Sequence, residues 1–303
     1  MKKKILVAGA TGDLGGRIVK ALISQGAEVV ALVRTSSDQE KTDQLTATGA
    51  TVVKVDMTNL VAVTQACTGV SCVVSALAGL RDVIVNTQSL LLDAAVVAGV
   101  PRFIPSDYST NFTTLPEGEN RNFDLRKAFH QKLDQTNIAY TSIFIGAFTD
   151  ILMYGTPLYN LKNNTIGFWS NDSDYKLDFT TKDNTAAYTA AAAMDDSTPK
   201  FLQIASFQIS PNELAAIGTE VKKTDFKLIP MGNLSGLSAY NKTQRAADPE
   251  GEKQLYPKWQ QSQYMYSMFS IQNTQLDNGR YPEVKWTGAM DFLSKFWQEY
   301  FLN

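Results

Sequence analysis

The chain has 303 residues, of which 44% are hydrophobic and 19% charged, with a net charge of −2. That length is enough for one large domain or two modest ones, and the composition is that of an ordinary soluble globular protein. The charge balance implies no polyanionic partner, no basic block with interleaved aromatics points to nucleic acid, and no apolar run reaches membrane-span length.

Lys2-Lys3-Lys4 precedes an apolar run, as in a signal peptide, but the run breaks at Gly9 and no cleavage site follows. The lysines are expected to solvate the entry to a first strand. Cys67 and Cys72 are too few for a disulfide framework, so a cytoplasmic, reducing location is expected, with Cys72 a buried thiol. One histidine and two cysteines make a dedicated metal site unexpected.

Lys4-Ile5-Leu6-Val7-Ala8 reads as a buried parallel strand, and Arg17 to Ile23 carries apolar residues at helical spacing. Between them stands Gly9-Ala10-Thr11-Gly12-Asp13-Leu14-Gly15. Glycines at a strand-to-helix turn are the pattern of a nucleotide-binding loop. Gly9 permits the tight turn, Gly12 lets the backbone approach a pyrophosphate, and Gly15 lets helix and strand pack closely. The helix N-terminus offers N–H groups to the phosphates. Gly9, Thr11, Gly12, Asp13, Leu14 and Gly15 are therefore the first candidate cofactor contacts.

Glu28 to Arg34 reads as a second buried strand. An acidic residue at its end would bond the ribose diol of NAD; here Arg34 stands there, followed by Thr35, with Lys41 further on. A guanidinium with hydroxyls suits a 2′-phosphate, so NADP is the expected cofactor. The alternative is a surface arginine closing the strand. Ala50 to Asp56 is a third strand, and Asp56 is placed to accept from an adenine amino group or to cap the next segment. A short helix over Leu60–Gly69 comes next. Ser71 to Ala78 is a fourth strand running into small residues, Ala76 and Leu77 among them, against which a dinucleotide could lie. Asp82–Gly99 is a helix, and Arg102 to Tyr108 the fifth strand with its exit, where Ser106 is a candidate contact. The alternation is βαβαβ, which predicts a doubly wound parallel sheet of the Rossmann kind.

A polar loop over Asn111–Asn122 leads to a helix over Phe123–Gln135, then a sixth strand over Ile138–Phe144 and Gly146, the last candidate cofactor contact. An aromatic middle (Tyr154, Tyr159, Phe168, Trp169) suits a cleft wall. An alanine-rich helix spans Thr185–Met194, and Phe201–Ala205 is another strand. Ser210-Pro211-Asn212-Glu213 has the form of a helix start closed by a capping box. Lys253–Gln272, dense in Tyr, Trp, Met and Gln, fits a substrate pocket or an oligomer contact. Trp286–Phe301 is an amphipathic docking helix.

Several segments together resemble one family, the atypical short-chain dehydrogenases of the isoflavone-reductase, phenylcoumaran-benzylic-ether-reductase and NmrA-like group. They are Gly9-Ala10-Thr11-Gly12 with Gly15, Leu32-Val33-Arg34, Arg102-Phe103-Ile104-Pro105-Ser106-Asp107, Phe123 with its helix, Ile138 to Thr141, Thr181-Lys182-Asp183, Asn212-Glu213-Leu214 and Arg280 to Lys285. They stand in family order over nearly the whole chain. The resemblance implies a cofactor domain with a seven-stranded parallel sheet over 1–152 and a smaller C-terminal α/β substrate lobe over 153–303, from which 178–206 returns to the sheet. It also implies NADPH as hydride donor to a small, often aromatic, substrate.

Relatives carry a lysine as proton donor or base on the helix after the strand-five loop; its place falls on Arg126, beside Lys127. Leu125, Phe129 and Leu133 define that helix's apolar stripe. At about 100° per residue, Arg126 lies roughly 60° from the stripe's centre and Lys127 about 160° away. Arg126 is thus expected at the catalytic place, where it holds an oxyanion rather than removing a proton, or else pairs with Asp107 or the loop. His130, one turn on, and Tyr108 are the other catalytic candidates. The expected activity is reduction of a small carbonyl, quinone or aromatic compound. The rival is an NADP-binding redox sensor without turnover, which the missing lysine favours. The expected partner is a small-molecule substrate, with no nucleic acid or membrane, and the chain a monomer or homodimer.

Overall fold

The computed structural model describes residues 2–301; residues 1, 302 and 303, at the ends of the two lobes drawn from the sequence, lie outside them. The chain divides into two compact units. The first comprises 1–108, 122–143 and 185–202, the second 109–121, 144–184 and 203–303.

The first unit alternates strand and helix: β1 (Lys4–Ala8), α1 (Asp13–Ser24), β2 (Glu28–Arg34), α2 (Gln39–Ala47), β3 (Thr51–Val55), α3 (Leu60–Ala66), β4 (Cys72–Ser75), α4 (Gln88–Val97), β5 (Arg102–Ile104), α5 (Arg121–Leu133) and β6 (Ala139–Tyr140). The sheet is six-stranded and parallel in the order β3-β2-β1-β4-β5-β6. This is the doubly wound Rossmann order, in which the winding reverses between β1 and β4. The inner strands are apolar because helices cover both faces: Ile5, Leu6, Val7 and Ala8 are fully buried, as are Cys72, Val73 and Val74. Phe103 of β5 meets Phe129 of α5 at 6.1 Å between ring centroids. Burying each such side chain stabilises by about 1.5–3 kcal/mol, and the contact fixes α5 over the sheet.

The backbone departs from the expected elements at two places. The stretch 138–144 forms two strands. At Thr141 the backbone N–H still donates to Phe103 O, but Ser142 N–H donates to Lys200 O. The chain changes partner there, and β7 (Ser142–Phe144) leaves the six-stranded sheet instead of adding to the seven strands that the resemblance implies. The helix expected over 82–99 opens with a π-helical stretch, Asp82–Thr87, before α4.

The second unit holds β8 (Ala147–Phe148), β9 (Thr165–Phe168), β10 (Leu177–Thr180), and the first residues of α6 (Lys182–Met194), whose remainder belongs to the first unit. After β11 (Phe201–Gln203), which pairs with β7, come β12 (Phe207–Ile209), α7 (Pro211–Lys222), β13 (Lys227–Pro230), α8 (Leu234–Ala247), α9 (Lys258–Ser270) and α10 (Ala289–Phe301). It is built on a β12-β10-β8 sheet and a β13-β9 pair. The capping box expected at Ser210 and Glu213 is present on α7. In the first unit Arg102, the opening residue of the Arg-Phe-Ile-Pro-Ser-Asp phrase, is a buried cap: its guanidinium donates to Ala192 O at 3.0 Å and Ala193 O at 3.4 Å. These carbonyls lie in the last turn of α6, where the Ala192 carbonyl also accepts the Asp195 N–H at 3.3 Å. No helix among the described residues is long and apolar enough to cross a membrane.

Candidate functional site

The glycine loop joins β1 to α1 at the reversal point of the sheet. Gly9 has φ +82°, and a Cβ on it would lie 2.5 Å from Ala76 O. A Cβ on Gly15 would lie 2.1 Å from Gly9 O. Both glycines are thus demanded by the protein's own backbone. Gly12 differs: it is exposed, and its Cβ would meet only Gly9 O, at 3.2 Å. It is the N-cap of α1 and supplies no side-chain cap, so the Leu14 and Gly15 N–H groups in the first turn are left to an external acceptor. Thr11 and Leu14 are half-buried beside it. Asp13, a carboxylate in the first turn, receives Arg17 Nε at 2.7 Å and so is ion-paired. The donor set, the exposed Gly12 and the strand-reversal position fit a pyrophosphate.

Arg34 ends β2 exposed to solvent, its side chain without a hydrogen bond or ion pair among the described residues. Thr35 N–H is committed to Val55 O at 3.1 Å. Lys41 sits in the first turn of α2, its N–H on the Asp38 carboxylate. Asp56 makes a capping turn, accepting from Thr58 N–H at 2.9 Å and Thr58 Oγ1 at 2.8 Å. These bonds hold its carboxyl below the usual carboxylate range.

Ser106 ties three elements together. Its Oγ donates to Leu77 O at 2.7 Å, its N–H to Gln88 Oε1 at 3.0 Å, and its carbonyl accepts from Arg126 Nε at 3.1 Å. Arg126 Nη1 donates to Asn122 O at 3.1 Å. Its Nη2 has no hydrogen-bond partner among the described residues. Lys127, expected toward solvent, is 23% exposed and lies 4.0 Å from Asp124 Oδ1; the pair draws it along the helix. The arginine meets the Ser106 carbonyl of the loop, and Asp107 is engaged elsewhere. Asp107 Oδ2 lies 2.6 Å from His130 Nε2 and accepts from Ser142 Oγ at 2.7 Å. Tyr108 is buried, with no hydrogen bond to its hydroxyl among the described residues. Burial pushes its phenol well above the ordinary range, so it holds its proton firmly.

Gly146 belongs to the second unit. Its φ is +68°, and a Cβ there would lie 2.2 Å from Asp178 O, so close packing against β10 already requires glycine. Sequence reasoning missed Gln88. A glutamine that is fully buried on the face shared with Ile84, Leu91 and Leu92 is an anomaly worth reading, and its amide is what fixes Ser106. Ser142 was also missed, for it lies inside a stretch that reads as a single strand.

The NmrA-like family model matches residues 1–300. A bifunctional pinoresinol-lariciresinol reductase of Linum album is 26% identical over 314 residues, covering 97% of this chain and 94% of that protein. Among solved structures, AtPrR2 with NADP+ and (+)pinoresinol is similar with a TM-score of 0.78 at 22% identity, over 98% of this chain and 99% of that one. The NADPH-dependent quinone oxidoreductase QOR2 of Escherichia coli, complexed with NADPH, has a TM-score of 0.76 at 19% identity, over 97% and 99%. At such identities the structures share the fold.

Proposed function

This chain belongs to the NmrA-like family, and from that we propose that it is an NADPH-dependent reductase of a small aromatic, quinone or carbonyl compound. The observation that carries the reading is the uncapped N-terminus of α1 at the exposed Gly12, beside two glycines that the backbone itself requires. A relative named as a reductase, and fold neighbours solved with NADP+ or NADPH, one of them named as a quinone oxidoreductase, support it.

When bound, the dinucleotide supplies a hydride from its nicotinamide ring. The Gly9–Gly15 turn and the first N–H groups of α1 receive the pyrophosphate. Arg34, unengaged within the protein, binds the 2′-phosphate, with the Thr35 hydroxyl and Lys41 nearby in sequence. Arg126 is held by its Nε and Nη1, leaving Nη2 as a fixed donor for a substrate oxygen that gains charge. A guanidinium stays protonated, so Arg126 stabilises charge and water or another group delivers the proton.

The same arginine, standing where relatives have a lysine, favours a second reading: an NADP-binding redox sensor without turnover. NADPH oxidation across a panel of quinones and aromatic carbonyls separates the two. Turnover that disappears in Gly12→Val supports the reductase; tight NADPH binding with no oxidation of NADPH by any panel member supports the sensor.

A further inference from the structure

Arg126 and His130 stand one turn apart on α5 and grip two consecutive residues of the β5 exit. Arg126 Nε takes the Ser106 carbonyl at 3.1 Å, and His130 Nε2 takes the Asp107 carboxylate at 2.6 Å. Ser142 Oγ donates to the same carboxylate oxygen at 2.7 Å and lies 3.4 Å from His130 Nε2. Asp107 and Ser142 are fully buried, and His130 is 8% exposed. The imidazole Nε2 is therefore committed to Asp107 inside the protein. Its role is with Asp107. A buried carboxylate is tolerated only when paired and hydrogen-bonded, and a cationic His130 supplies the pairing.

We propose that protonated His130 is a positioning residue: by holding Asp107 it adds to the ties from Leu77 and Gln88 that set the Ser106 carbonyl on which Arg126 rests, so that loss of the His130 proton loosens the guanidinium. Its catalytic consequence rests on the reductase reading; the strut itself does not.

The groups facing His130 are Asp107 from the β5 exit, Asp134 in the turn after α5, Lys200 ahead of β11, and Tyr140 of β6, whose ring it meets edge-on at 5.7 Å. Asp134 favours the charged imidazole and Lys200 opposes it. Burial disfavours the charge, but the Asp107 carboxylate outweighs it through charge and hydrogen bond, so the pKa stands above the ordinary 6.5. A histidine with a raised folded pKa contributes stability that is fully present below its unfolded pKa. That stability is lost as pH rises through the folded value.

His130 is the chain's one histidine, so in untagged protein the imidazole carbon-bound protons give a single NMR titration. The expected midpoint lies above 6.5 in wild type and falls below that value in Asp107→Asn. The Arg126 Nε–H signal, assigned by its loss in Arg126→Lys, shifts with the wild-type midpoint, and the melting temperature declines over the same interval. In His130→Arg, a permanent cation, the Arg126 signal no longer responds across that interval. Turnover of any panel substrate falls through the His130 midpoint in wild type and stays level in His130→Arg. His130→Gln lowers kcat at least tenfold with KM for NADPH little changed; should that variant not fold, the wild-type titration and His130→Arg decide. A wild-type midpoint at or below the ordinary histidine value, or an Arg126 signal that ignores the His130 titration, overturns the proposal. If the Arg126 signal follows His130 while no substrate is reduced, the strut stands and the reductase reading falls.

Discussion

Arg126 Nε donates to the carbonyl of Ser106 at 3.1 Å, across twenty residues of sequence. The bond fixes the guanidinium at the edge of α5 and leaves Nη2 without a partner among the described residues. Arg126→Ala is expected to lower turnover about ten- to a thousandfold, the range for losing one such donor, with NADP affinity little changed. Arg126→Lys returns the amine that relatives carry and is expected to retain or raise activity. Lys127→Ala is expected to be nearly silent, since that side chain lies along the helix toward Asp124. Steady-state kinetics of the three variants check this. Loss of activity in Lys127→Ala alone would move the catalytic place by one position.

Gly15 and Gly12 separate folding from binding. At Gly15 an added Cβ would stand 2.1 Å from Gly9 O, a backbone atom that no rotamer change can move. Gly15→Ala is expected to destabilise by about 3 kcal/mol, the upper end of overpacking costs, read as a fall in the denaturation midpoint. Gly12→Val stands on an exposed residue and is expected to keep most of the stability while abolishing NADP binding. A Gly15→Ala variant as stable as wild type would contradict the packing described.

The two thiols are fully buried, and burial pushes Cys67 up to about 11 and Cys72 up to about 12. Thiolate is the reactive form. In native protein at neutral pH an aromatic disulfide reagent is expected to label neither at a measurable rate, while both react in denaturant. Rapid labelling of the native chain would show that one of them is accessible.

Local patterns were readable in the sequence. The strand–glycine–helix order stands as β1, the Gly9–Gly15 turn and α1, Arg34 ends β2 where the apolar run stops, and Ser210 with Glu213 announced the start of α7. What stayed hidden depends on distance along the chain. A lone histidine carries no sign of its partner, and Asp107, His130 and Ser142 meet only after three elements are in place. The stretch from Ile138 to Phe144 reads as one strand, and the polar pair Thr141-Ser142 within it does not by itself say that the chain changes neighbours there. Gly146 reads as a ligand glycine, yet Asp178 already leaves no room for a side chain there.

Calorimetric titration of NADP and NAD into wild type and Arg34→Ala tests the account at its centre. Arg34 has a free guanidinium at the end of β2, and charge-assisted bonds to a 2′-phosphate readily supply the difference. NADP is predicted to bind wild type at least about tenfold tighter than NAD, roughly 1.4 kcal/mol, with that preference lost in Arg34→Ala. Equal affinities for the two cofactors in wild type would contradict it.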